Sequence, residues 1–118
     1  MSTDLSKLRD IDGFIGACLV DSSSGMMLAS EAGNSKLDLE TAGAANAEVV
    51  KSKNAAIEAL GLNEAIEDIL ITLDSQYHLI RPMSADKTVF VYVALDKKKS
   101  NLAMARLQVR KVEETLKI

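Results

Sequence analysis

Thr88–Leu95, TVFVYVAL, carries no charge over eight consecutive residues. A strand with one wet face alternates polar and apolar side chains. An unbroken apolar run of strand length therefore predicts a strand in the middle of a sheet, with both faces covered. Its flanks agree. Tyr77–Met83 reads as a preceding strand, with Asp86 and Lys87 at the turn. Lys97, Lys98 and Lys99 read as a solvated turn, and Ser100 or Asn101 as the cap of an amphipathic helix that continues NLAMAR. In that helix Leu102, Ala105, Val109, Val112 and Leu116 fall on one stripe, flanked by Arg106, Arg110, Glu113, Glu114 and Lys117.

Upstream, Leu5, Leu8 and Ile11 follow helical spacing, which predicts a short helix over Asp4–Asp12 ending at Gly13. Phe14–Asp21 is a near-continuous apolar run and predicts a buried strand. Ser22, Ser23, Ser24 and Gly25 supply turn chemistry, and Met26–Ser30 returns as the second strand of a hairpin. Gly33, Asn34 and Ser35 break the pattern. Ile66–Leu73 predicts a third strand, with Ile69, Ile71 and Leu73 alternating against Leu70 and Thr72. Pro82 cannot donate a ladder hydrogen bond, so its end of Tyr77–Met83 is expected at an edge or leaving the sheet.

Asp38–Leu60 predicts a long helix with an acidic cap and Gly61 just past its end. At 100° per residue, Leu39, Ala42, Val49, Ala56, Ile57 and Leu60 share one broad face, with Val50 at its edge. Asn46 and Lys53 intrude on that face. Lys53 can carry its stem out to water, and Asn46 is expected to find a hydrogen-bond partner. Opposite stand Ala44, Ala55 and Ala59 among Glu40, Glu48, Lys51 and Glu58. Two readings of the alanines stand side by side: they let another backbone approach closely, or they are there as the best helix formers.

The order α-β-β-α-β-β-β-α predicts an α+β fold: one domain over residues 1–118, with a five-stranded antiparallel sheet and helices on both faces. With two Phe, two Tyr and no Trp, the core has to be aliphatic. The net charge of −3, spread along the chain, excludes the basic stripe that nucleic acid needs. The start, MSTDLSKLRD, is too polar for a secretory signal, and no apolar run approaches the roughly 20 residues that span a bilayer. A cytoplasmic location without membrane insertion is the expectation.

Little in the chain points to catalysis. His78 is the only histidine and Cys18 the only cysteine. Cys18 lies within an apolar strand and reads as a buried, reduced thiol, and His78 as a structural or surface strand residue. Neither a catalytic triad nor a thiolate zinc site can be assembled around them alone. Glu64, Glu67 and Asp68 read as a solubilising lead-in to a strand. Gly33–Asn34–Ser35–Lys36 lacks the spacing of a phosphate loop. Met26, Met27, Met83 and Met104 read as core fillers rather than a binding surface. The expectation is a non-enzyme with no metal and no cofactor.

DSSSGMMLAS (Asp21–Ser30), YHLIRPM and VFVYVALDKKKSNLAMARL, taken in order, resemble the Roadblock family, the dynein-light-chain-like domains that include bacterial MglB-type regulators of Ras-like GTPases. The resemblance implies a profilin-like sandwich with one long helix on one face and two terminal helices on the other. It implies a homodimer or family heterodimer in which Ile66–Leu73 pairs with its counterpart while the long helices lie side by side. Asn46, Ala47, Ile69, Leu70, Ile71 and Leu73 would form that interface. Glu40, Ala44, Glu48, Lys51, Ala55 and Glu58 would form a platform for a small Ras-like GTPase. The resemblance transfers no catalytic residue, and Arg81, Arg106 and Arg110 are poor candidates for an arginine finger. A structural assembly subunit of dynein-light-chain type is the alternative.

Overall fold

The computed structural model describes residues 3–33 and 36–118. A 3-10 helix (Ser6–Asp10) is followed by β1 (Phe14–Asp21), β2 (Met27–Ala32), α1 (Leu39–Ala59), β3 (Ile69–Thr72), β4 (Gln76–Pro82), β5 (Val89–Asp96) and α2 (Leu102–Thr115). The strands form one sheet in the order β2-β1-β5-β4-β3, every neighbouring pair antiparallel. This is the five-stranded α+β sandwich expected from the sequence. β5 occupies the central position. Its side chains alternate between two cores: Val89, Val91, Val93 and Leu95 face one, and Phe90, Tyr92 and Ala94 the other.

The 3-10 helix and α2 cover the first of these faces. Leu5, Leu8 and Ile11 join Ala105, Val109, Val112 and Leu116 there. The predicted first helix is therefore a single 3-10 segment. Its apolar residues recur every third position, the period at which 3-10 side chains eclipse, and Leu8 and Ile11 donate to carbonyls three residues back. α1 covers the other face, where Ala47 and Val50 pack on Cys18, Val20, Ile80 and Phe90.

Both long helices begin as their caps dictate. Asp38 accepts from the Thr41 amide at 3.1 Å, and Asn101 from the Met104 amide at 3.1 Å. Just past the end of α1, Gly61 takes φ +69°, open to solvent. β3 is shorter than the predicted Ile66–Leu73, because the ladder with β4 runs only from Ile69 to Thr72. β3 pairs with β4 only as far as Ile80, so Pro82 lies beyond its end, at a local edge of the sheet. The break predicted at Gly33, Asn34 and Ser35 falls partly outside the described residues, which exclude Asn34 and Ser35.

Gly43 lets α1 sit directly on β1. A Cβ at that position would lie 2.9 Å from Val20 Cγ2 and 3.4 Å from Cys18 Sγ. Gly43→Val should therefore overpack the helix–sheet contact and destabilise the protein by about 1–3 kcal/mol in urea unfolding. An unchanged midpoint would mean the helix can lift away from the sheet freely.

Candidate interaction surfaces

Two of the groups most suited to chemistry are absorbed into the sheet. Cys18 is fully buried, directly opposite Tyr92 in the β1–β5 ladder, and its Sγ lies 3.7 Å from the Leu39 carbonyl. Burial pushes its thiol up to about 12. Tyr92 is also raised to about 12, by burial first and by Cys18 second. His78 on β4 stands edge-to-face with Tyr92, ring centres 5.3 Å apart. Its Nε2 lies 2.8 Å from Gln76 Oε1, and its Nδ1 lies 3.3 Å from the Tyr92 hydroxyl. A neutral ring with its proton on Nε2 donates to Gln76 and accepts from Tyr92, satisfying both contacts. Burial holds its pKa below 6.5. Among the described residues, no three His, Cys, Asp or Glu side chains gather as a metal site requires.

The surfaces are more informative. α1 buries Gly43, Ala47 and Val50, with Leu39, Ala42, Asn46 and Ile57 half-buried. This differs from the predicted face. Val49, Ala56 and Leu60 lie on a neighbouring stripe that the sheet does not cover. Packing this close selects the small residues, so the bulkier ones are displaced to the flank. Lys53 is exposed beside them. Beyond Val50, only Ile57 is even half-buried, so the last turns of α1 project without cover.

The predicted interface residues differ in burial and in the core they join. Ala47 is 1% exposed and belongs to the core of the fold, so its side chain is not open to a partner. Asn46 is half-buried and donates from Nδ2 to the Ala42 carbonyl at 2.8 Å, a partner within its own helix. Ile69 and Ile71 pack partly on the α1-side core, and Leu70 on the α2-side core. Leu73 is exposed just past β3. β3 is paired on one side only. Leu73 is 42% exposed there; Val49 in the middle of α1 and Leu60 and Leu62 just past its end are exposed by 37, 68 and 47%. The predicted platform residues Glu40, Ala44, Glu48, Lys51, Ala55 and Glu58 are all exposed along the outer side of α1, with Lys51 3.3 Å from Glu48.

Several surface features escaped sequence reasoning. Met83 is a core residue as expected, but Met26 and Met104 are exposed. Met26 and Met27 line a hollow with Glu40, Thr41 and Ala44, where the first hairpin meets α1. Asp68, expected to solubilise, is gripped by Arg106 and lies near Arg81. Arg81 in turn pairs with the buried Glu113. The sequence spacing carries no signal for these long-range pairs. At the other edge of the sheet, Arg9 bonds Glu31 and the Ala32 carbonyl of β2. Among the described residues, no helix is long and apolar enough to cross a membrane.

No family model and no curated protein matches the chain. Solved structures do. Myxococcus xanthus MglB is 16% identical with a TM-score of 0.75, covering 96% of this chain and 93% of that one. A Roadblock/LC7 domain from Streptomyces avermitilis is 11% identical with a TM-score of 0.79, covering 93% and 88%. An MglB described as having a tetrameric arrangement is 18% identical with a TM-score of 0.79, covering 94% and 79%. The fold is the Roadblock/LC7 fold of the MglB type.

The His78 environment has a pH signature. The unfolded chain takes up a proton near pH 6.5, whereas the folded ring resists it. Stability conferred by the neutral ring is complete above that value and is lost as pH falls towards the lower folded pKa. Urea unfolding between pH 7.5 and 5 should show this loss, and His78→Phe should flatten the slope. An equal slope in both proteins would place the titration elsewhere.

Proposed function

We propose that the protein is a homodimeric, non-catalytic interaction module that binds and regulates a small Ras-like GTPase. The observation that carries the dimer is the coincidence of a free strand edge with uncovered apolar surface. β3 leaves one side of its backbone unpaired and Leu73 stands exposed just past it, while Val49 on α1 and Leu60 and Leu62 just after α1 are exposed as well. A bare edge of this kind is an aggregation hazard unless another chain covers it. A copy of β3 answers that need through a self-complementary two-fold contact. The uncovered end of α1 would meet its counterpart alongside. Likeness in fold to an MglB with a tetrameric arrangement supports self-association.

The GTPase half of the reading draws on the resemblance to MglB-type regulators and on the outer side of α1. There the exposed small residues Ala44 and Ala55 alternate with Glu40, Glu48, Lys51 and Glu58. A helix side with short side chains at its centre and charges at its margins lets a partner approach closely and fixes its orientation. The role is that of a platform, and it asks no acid, base or nucleophile of the chain. A cytoplasmic location follows from such a partner.

Sedimentation of the protein, alone and mixed with a small GTPase from the same genome in GDP and GTP-analogue forms, tests both halves. The expected result is a dimer that gains mass with one nucleotide form. A dimer that ignores both forms would favour the structural assembly role, and a monomer would remove the reading altogether. Leu73→Glu should leave the protomer folded and raise the dimer dissociation constant by roughly tenfold or more, because it sets a charge in a desolvated contact. Ala55→Glu should spare the dimer and weaken GTPase binding. Unaltered affinity in that variant would remove the α1 platform.

A further inference from the structure

Asp68 sits immediately before β3, at the end of a segment in which residues 61–65 are all exposed. Arg106 of α2 grips it with a forked contact. Nη2 lies 2.9 Å from each carboxylate oxygen, and Nε lies 3.2 Å from Oδ2. Arg81 of β4 stands behind, its Nη1 3.9 Å from Asp68 Oδ2. Arg81 Nε donates to Glu113 Oε1 at 2.8 Å. Glu113 is 1% exposed on α2, and it also accepts from the Ser84 amide at 3.0 Å and the Ser84 hydroxyl at 3.2 Å. These charges run in one chain from α2, through the start of β3 and across β4, back to α2. They border a cavity of about 320 Å³ lined by Glu67, Ala103, Leu107 and Arg110.

β3 has little else to hold it. It is four residues long, pairs on one side only, and follows a loop with few buried side chains. We propose that this ion network is a clamp that positions the free edge of β3 and thereby sets the strength of self-association, a proposal that rests on the homodimer reading above.

The two halves of the network differ in kind. Arg81–Glu113 is buried and hydrogen-bonded on several sides, so breaking it would disturb the fold itself. Arg106–Asp68 is partly open to solvent, with side-chain exposures of 47% and 15%. A pair of that kind contributes modestly and can be removed without unfolding the protein. Without it, the segment ahead of β3 gains freedom that association must then remove. A two-fold dimer contains two clamps, so the effect on each protomer counts twice in the dissociation constant.

The test compares Asp68→Asn and Arg106→Gln, singly and together, by sedimentation equilibrium and by amide exchange of residues 69–72. Each single variant should raise the dissociation constant about tenfold, from roughly threefold per protomer. The double variant should be no worse than either single. Exchange at residues 69–72 should quicken while the β1–β5 ladder stays protected. Arg9→Gln removes an exposed ion pair at the opposite edge of the sheet and serves as the control. Additive losses, or an equal loss in the control, would overturn the clamp in favour of a general charge effect. If the unaltered protein sediments only as a monomer, the dimer reading fails and exchange alone decides the clamp. Quickened exchange at residues 69–72 in both variants then supports the positioning of β3 alone, its effect on self-association falling with the dimer, and unaltered exchange overturns the clamp.

Discussion

β5 can be satisfied only from two sides at once. Seven of its eight residues are buried, and they alternate strictly between two apolar cores. Each core needs a helical layer, so α1 on one face and α2 with the 3-10 helix on the other follow from a single strand. β5 must also hydrogen-bond at both edges, which draws β1 and β4 inward and leaves β2 and β3 outermost. The edges are therefore a product of the centre. The two sides of the α1 face are also unequal. α1 lies against β1 and β2, so Ile69, Ile71 and His78 on the far side are left half-buried. An apolar face with a helix over one half only is the physical origin of the exposed surface beside β3.

Much of this was legible because the signals were local. The uncharged run of β5, the one-sided stripe of α2 and the acidic cap of α1 each depend on neighbours within a few residues. The buried face of α1 was misread because a helical wheel weighted by bulk favours Val49, Ala56 and Leu60. Contact as close as that at Gly43 instead selects Gly43, Ala47 and Val50. A helix rich in alanine offers two plausible apolar stripes, and only the distance to the sheet decides between them. β3 was overextended for a related reason. Ile66 fits the alternation, but the ladder with β4 begins only at Ile69, and Asp68 is held instead by arginines that are distant in sequence.

The candidate surfaces were legible in part. The outer side of α1 follows from periodicity and is exposed at all six positions. Ala47 is drawn into the core by the same helix–sheet distance, and Asn46 finds a hydrogen-bond partner in its own backbone. The ion pairs among Asp68, Arg81, Arg106 and Glu113 join positions 13 to 38 residues apart. No sequence spacing encodes such a meeting, since it comes from the antiparallel return of β4 and the crossing of α2.

The burial of Cys18 makes the molecule a reporter of its own breathing. With its thiol near 12, almost none is thiolate at neutral pH, and its sulfur lies beneath α1 against the Leu39 carbonyl. An alkylating reagent can reach it only when the helix parts from the strands. The rate of that one modification therefore counts openings of the α1 layer in the unaltered protein, without an introduced label. The same occlusion shields the sole sulfhydryl from peroxide and from intermolecular crosslinking while the layers stay closed.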